Sequence, residues 1–271
     1  MAFEDFAELE RRGWTDDATA SGYVDLFSPA SDLAITALVS GIARDARVLD
    51  LCCGQGNVTQ ALLRAGARVV GVDFSATMLG HARRRVPDGS FVEADAQALD
   101  FADAEFDAVT CNFGLVHVPD QPRALEEIRR VLKPGGRFNM TAWCGPNVSP
   151  AFAIFYSCVQ QHGSPAVSLP DGPNFHQFAD ESIAENLLGD AGFALQSHET
   201  VDCHWTLGAP EELAEIFQKG APRGGFLLAQ QPPENLTAIR TAIADKVNEQ
   251  CRAGDRWHVP IPAVLLRAVA V

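Results

Sequence analysis

One short stretch limits what this chain can fold into more than any other: Val48-Leu49-Asp50-Leu51-Cys52-Cys53-Gly54-Gln55-Gly56-Asn57. Arg47-Val48-Leu49 is β-rich and brief, and Asn57 to Leu63 carries apolar positions at helical spacing. Between them, Gly54 and Gly56 allow a tight turn and a close approach of ligand to backbone. The order is strand, carboxylate, glycine loop, helix. A dinucleotide would lay its diphosphate on the helix N-terminus, where a negative side chain is unwelcome, and Asp50 stands there. No Lys or Arg occurs in the loop before Arg64, Thr59 occupies the third glycine position of G-x-G-x-x-G, and the phosphate-loop pattern is absent. A carboxylate at this place suits an ammonium group instead.

These residues resemble the first motif of the class I S-adenosylmethionine-dependent methyltransferases, in the branch that includes ubiquinone and menaquinone biosynthesis enzymes. The resemblance is close over residues 45 to 143 and loose elsewhere. The family pattern D-x-G-x-G-x-G has Cys52 in place of its first glycine, and a side chain that small fits on the expectation that the local backbone avoids positive φ. Further motifs follow in family order. Arg68 to Asp73 reads as a second buried strand ending in an acid about 20 residues past the loop, where such folds bind a ribose. Ser75 can cap the next helix, and Phe74 and Met78 lie where apolar groups flank an adenine. Phe91 to Gln97 resembles the adenine-edge motif, with Asp95 accepting from the exocyclic amine and the Ala96 N–H meeting the ring. Phe106 to His117 resembles the fourth strand and its loop, with Asn112 and Phe113 under the methionine part. Leu132 to Phe138 marks a helix end and a turn into a fifth strand.

Each residue also has a plainer reading. Asp50, Gly54 and Gly56 could be turn chemistry alone, Asp73 a surface acid, Asp95 an acid capping its own turn, and Phe74 and Met78 core positions. His117 is the one histidine placed to act as a general base, against a packing or hydrogen-bonding role. Tyr156, His162 and His176 are weaker acceptor contacts, and His204 and Trp205 read as structural.

At 271 residues and 47% hydrophobic, the chain can bury a full α/β core. Its apolar runs fall short of a bilayer span and its N-terminus lacks the layout of a signal peptide, so cytoplasmic residence is the expectation. Seven cysteines without C-x-x-C or zinc-ligand spacing predict reduced, mostly buried thiols and no bound metal. A formal net charge of −14 disfavours nucleic acid and anionic membrane surfaces. The basic run Arg83-Arg84-Arg85 reads as a solvated helix face. A small molecule is the expected partner, with room left for a homodimer.

Residues 1 to 27 hold aromatic residues among acids and read as an N-terminal helical lid, on which Tyr23 is assigned to the cofactor; Ser28-Pro29 could start the next helix. Residues 28 to 143 form the cofactor-binding core. Residues 144 to 180 read as a loop-rich aromatic insertion, 180 to 192 as a helix and 193 to 205 as a strand. A second insertion, 208 to 256, holds helices near 211–219 and 234–251 separated by a Gly- and Pro-rich stretch, and 262–271 closes as an apolar strand. This alternation predicts one α/β domain with insertions. The resemblance implies a doubly wound, seven-stranded, mostly parallel Rossmann-like sheet whose last strand is antiparallel, capped by the insertions. It also implies methyl transfer from S-adenosyl-L-methionine, giving S-adenosyl-L-homocysteine, to a small apolar or aromatic metabolite. Two alternatives stand beside it: a non-catalytic S-adenosylmethionine-binding module acting through protein contacts, and a nicotinamide-dependent oxidoreductase, which Asp50 and Thr59 oppose.

Overall fold

The structure is a computed structural model and describes residues 3–271. Ahead of the first strand the chain is helical: α1 (Glu4–Thr15), α2 (Asp17–Gly22), a π-helical turn (Tyr23–Phe27), α3 (Ser28–Ser31) and, past a 3-10 turn, α4 (Ile35–Leu38). Asp16 starts α2 by accepting the Thr19 backbone N–H at 2.8 Å. Pro29 continues the helical path at the start of α3, where its missing donor is tolerated. The alternating region follows as β1 (Arg47–Leu51), α5 (Asn57–Ala65), β2 (Arg68–Asp73), α6 (Ala76–Arg85), β3 (Ser90–Glu93), β4 (Phe106–Asn112), α7 (Gln121–Val131) and β5 (Leu132–Trp143). Gly56 and Gly66, both left-handed, bracket α5, while Ser75 and Asp120 cap α6 and α7.

Seven strands form one sheet in the order β3-β2-β1-β4-β5-β10-β6, where β6 is Phe193–Val201 and β10 is Ala263–Ala270. Neighbours from β3 to β5 are parallel, and β10 runs antiparallel to both β5 and β6. This is the doubly wound, mostly parallel sheet that the family pattern implies. One face buries Leu49, Leu51, Val109 and Cys111 against Leu125 and Ile128 of α7. The other buries Val48, Val69 and Ala108 against Leu38, Val58 and Leu62. With both faces covered, these strands can be apolar throughout. The chain turns in opposite directions from β1 to reach β2 and β4, which makes the carboxyl ends of these strands the crevice where such sheets bind ligands.

Three expectations need correction. The stretch 144–180 is loop-rich only after residue 162: α8 (Pro150–His162) occupies its first half, started by Ser149, which accepts the Phe152 N–H. Phe193 to Trp205 is two strands, because Asp202-Cys203 breaks the run and β7 (His204–Leu207) joins a second, three-stranded sheet with β9 (Arg256–Pro260) and β8 (Arg252–Ala253). The Gly- and Pro-rich stretch after α10 (Glu212–Gly220) holds a further helix, α11 (Pro222–Ala229), before α12 (Pro233–Gln250). Gly224 permits it: a Cβ there would come 2.5 Å from the Phe217 carbonyl oxygen, so the two helices meet backbone to backbone. The helix α9 (Glu181–Asp190) lies where the sequence places it, capped by Asp180. Phe152, Phe155 and Phe217 join Ile239, Ile243 and Val259 in a third core that unites α8, α10, α12 and the small sheet.

Candidate active site

A cavity of about 540 Å³ opens at the carboxyl ends of β1, β2 and β4. Within the size range of small-molecule sites, it is walled by the glycine loop, α1, the π-helical turn, α8 and α11. Asp50 ends up 1% exposed at its floor. In register, Asp50 lies beside Thr110 of β4, whose Oγ1 donates to it at 3.1 Å, while Thr59 Oγ1 in α5 donates at 2.5 Å. Burial pushes its carboxyl up to about 7 against those hydroxyls. Thr59, read from sequence only as a break in a dinucleotide pattern, is thus a partner of the site's first acid.

Asp73, at the end of β2, is 8% exposed. One oxygen accepts the Gly54 N–H and the other the Ser75 N–H, each at 2.9 Å. Burial raises its carboxyl to about 6, and the backbone donors and the nearby His117 pull the other way. The same side chain therefore clamps the glycine loop and faces the cavity with its remaining lone pairs.

Cys52 overturns the expectation of an ordinary backbone: its φ is 54°, so the family's first glycine position keeps its left-handed turn with a side chain on it. Gly114 makes the space, since a Cβ at that position would come 2.2 Å from the Cys52 Cβ. Gly54 lines the cavity at φ 54°, and a Cβ there would press on Met78 Cε at 3.3 Å. Gly56 does not line the cavity; it turns the chain into α5 at φ 81°, against Ala82.

The other residues of the sequence reading divide. Tyr23, Phe74, Met78, Asp95, Ala96, Asn112 and Phe113 all line the cavity. Asp95 is exposed at its rim and bonds the Gln97 N–H and side-chain amide, so it caps its own turn as well. Asn112 accepts from Thr141 Oγ1 at 2.7 Å, and that hydroxyl in turn accepts the Phe113 N–H, which holds Phe113 at φ 59° and stacked on Trp143 at 3.7 Å. Tyr23 shares a 3.2 Å hydrogen bond with Ser31, and burial pushes its hydroxyl up to about 12. Tyr156 also lines the cavity. His162 lies away from the lining and His176 stands behind it, with Nδ1 at 3.1 Å from the Trp143 carbonyl. His204 packs on His258, and Trp205 donates to the Leu26 carbonyl, both away from the site.

His117 sits in a 3-10 turn whose other members, Leu115 and Val116, are fully buried, which leaves the imidazole toward the cavity. Its Nδ1 lies 2.8 Å from Oε2 of Glu10, a residue of α1 only 3% exposed, which also accepts from Trp14 Nε1. Nothing in the sequence pairs these residues, which are 107 positions apart. The α1 helix is fastened further by Ser75 Oγ, which donates to the Trp14 carbonyl at 2.6 Å. All seven cysteines are free thiols, six of them buried, and Arg83, Arg84 and Arg85 are exposed. Among the described residues no helix is long and apolar enough to cross a membrane.

A methyltransferase domain model matches residues 48–136. The chain is 39% identical over 184 residues to the demethylmenaquinone methyltransferase of Renibacterium salmoninarum, covering 64% of this chain and 75% of that protein. It is 34% identical over 184 residues to the ubiquinone/menaquinone biosynthesis C-methyltransferase of Klebsiella pneumoniae, covering 61% and 71%. Among solved structures, a methyltransferase of Bacillus halodurans shares the fold with a TM-score of 0.58 at 22% identity, over 88% of this chain and 98% of that one. Phosphoethanolamine N-methyltransferase 2 of Haemonchus contortus, solved with phosphomonomethylethanolamine and S-adenosylhomocysteine, gives 0.58 at 21% identity, over 98% of this chain and 60% of that one. A left-handed glycine loop, an acid at the end of each of the first two strands and a cavity at the sheet's switch point fit an adenosyl cation, and with these relatives the chain belongs to the class I S-adenosylmethionine-dependent methyltransferases of the ubiquinone/menaquinone branch.

Proposed function

We propose that this enzyme methylates an aromatic ring compound of the quinol type, held between the glycine loop and the aromatic face of the cap. The observation that supports this most is the cavity's division. Asp50, Asp73 and Asp95 gather at the strand ends, whereas Phe113, Trp143, Phe152, Phe155, Tyr156 and Phe175 line the side under α8. The relatives named for demethylmenaquinone and for ubiquinone and menaquinone biosynthesis support an acceptor of this type. The net charge of −14 supports a free small molecule over nucleic acid.

In this reading Asp73 takes the ribose, Asp95 and Ala96 the adenine edge, Phe74 and Met78 its faces, and Asp50, Cys52, Gly54, Asn112, Phe113 and Tyr23 the methionine part. S-adenosylmethionine supplies a methyl group on a sulfonium, already activated. The protein's tasks are then to position the acceptor, exclude water and accept a proton. Helices α1 and α2 serve as the lid, and 144–180 with 208–256 as the cap. Glu10, accepting from Nδ1 of His117, leaves Nε2 as the lone pair that removes the acceptor's proton. Glu10 is a positioning residue for that base.

Calorimetry with S-adenosylhomocysteine tests the cofactor assignment. Asp73→Asn is expected to lower affinity by about tenfold or more, the loss of hydrogen bonds to a charged acceptor; unchanged affinity overturns it. For the base, His117→Gln is expected to lower kcat with little change in S-adenosylhomocysteine affinity. An unaltered kcat removes His117 from the chemistry.

A further inference from the structure

Arg223, in the first turn of α11, lines the cavity next to the aromatic wall. Its guanidinium carbon lies 4.9 Å from the ring centroid of Phe175 and 5.5 Å from that of Phe6. No carboxylate pairs with it among the described residues, and its Nη1 is buried with no hydrogen-bond partner. Three other partly buried arginines have carboxylate partners: Arg47 has Glu105, Arg130 has Glu127 and Asp103, and Arg267 has Glu199. Even a half-buried cation without a counter-charge loses hydration, and two ring faces replace only part of it.

The surroundings are short of acceptors in the same way. Tyr156 lines the cavity nearby with no hydrogen bond on its hydroxyl among the described residues, stacked on Phe152 at 5.6 Å. Burial raises that hydroxyl's pKa and the charge of Arg223 lowers it, which places the two groups within each other's field. Behind them, Nε2 of His176 is also buried without a partner among the described residues, in an imidazole whose pKa burial and the same arginine lower. These groups come from α8, α11 and the loop after α8, not from the glycine loop.

We propose that Arg223 and Tyr156 form an oxyanion subsite, so that the acceptor is an aromatic molecule bearing an ionised oxygen, a carboxylate or a phenolate, held at the aromatic wall of the cavity. The inference rests on the methyltransferase reading of this cavity and adds the charge of what it takes. An anion entering here meets a half-buried guanidinium beside aromatic walls, where a charge-assisted bond is stronger than in water. No protein carboxylate among the described residues has to be displaced from it.

Matched ligands test it on the whole protein saturated with S-adenosylhomocysteine. Naphthoate is expected to bind about tenfold tighter than the isosteric neutral naphthamide. Arg223→Met is expected to erase that preference, and Arg223→Lys to keep part of it, with S-adenosylhomocysteine affinity unchanged in both. Naphthol separates the two oxyanion sources: a phenolate site binds it more tightly as pH rises and releases a proton on binding, and a carboxylate site prefers naphthoate at every pH. Equal binding of naphthoate and naphthamide by the wild type overturns the proposal without any variant. So does a preference that survives in Arg223→Met, or a loss of S-adenosylhomocysteine affinity with the preference intact, which would assign the arginine to the cofactor's own carboxylate. If S-adenosylhomocysteine fails to bind the wild type, the reading of the site falls first and the inference with it.

Discussion

Cys52 carries a side chain through a left-handed turn that costs an L-residue roughly 1–2 kcal/mol, and the fold accommodates it by keeping Gly114 bare beneath it. The two positions should therefore be coupled. Gly114→Ala alone is expected to cost about 1–3 kcal/mol by overpacking, and clearly less in a Cys52→Gly background, where the obstructing Cβ is gone. Urea denaturation of both single variants and the double variant measures this, and additivity would deny the contact. The two buried acids have their own signature. Their folded-state carboxyls are raised to about 7 at Asp50 and about 6 at Asp73, both by burial. Relative to the unfolded chain they favour the protonated form, so their contribution to stability is present at low pH and lost as pH rises through those values. Asp50→Asn is accordingly expected to stabilise the ligand-free protein at pH 8 more than at pH 5, read by thermal melts. Ligand binding has the opposite sign, because an adenosyl ligand needs the ionised Asp73. Affinity for S-adenosylhomocysteine should fall as pH drops through about 6.

At the scale of elements, the N-terminal helices are fastened to the core at identifiable points. Glu10 reaches His117 in the β4 loop, and the Trp14 and Thr15 carbonyls accept from Ser75 and Thr77 of α6. A hydrogen bond to a charged group contributes about 1.5–3 kcal/mol, so Glu10→Ala is expected to raise the opening of residues 4–22 by about tenfold or more. Hydrogen exchange of that segment, with and without S-adenosylhomocysteine, measures it. Protection unchanged in the variant would show that helix packing alone holds α1 down. The chain from β1 to β5 was legible in sequence because each element announces itself locally: apolar runs for strands, Ser75 as a cap, and Gly54 and Gly56 as the turn ahead of α5. The cap was less legible. In α11, a helix begun by Pro222 contains two glycines that local propensity counts against, and its close packing on α10 decides otherwise.

Over the whole molecule, a net charge of −14 sets the surface against itself, and six acids also line the cavity: Glu10, Asp32, Asp50, Asp73, Glu93 and Asp95. Raising ionic strength from about 0.01 M to 0.15 M shortens the screening length from about 30 Å to 8 Å. The ligand-free protein is expected to melt at a higher temperature over that range, and a melting temperature that falls with salt would show that its attractive pairs outweigh the repulsion. A second expectation concerns the cap. Phe217 stacks on Phe155 at 4.2 Å and contacts Phe27 and Trp205 edge to face, so it joins the N-terminal segment, the cap and the small sheet. Phe217→Ala should cost about 3–5 kcal/mol, measurable by denaturant unfolding.

By itself the sequence determined the wound core, the order of its motifs and the acids at the ends of the first two strands, because those depend on residues a few positions apart and on the period of burial. The tertiary structure alone decided which side chains share the cavity. Glu10 meets His117, Thr110 meets Asp50, and Arg223 lies between Phe6 and Phe175, through the crossing of helices and the register of strands far apart in the chain. Side-chain direction at such crossings is set by packing, and no local pattern encodes it.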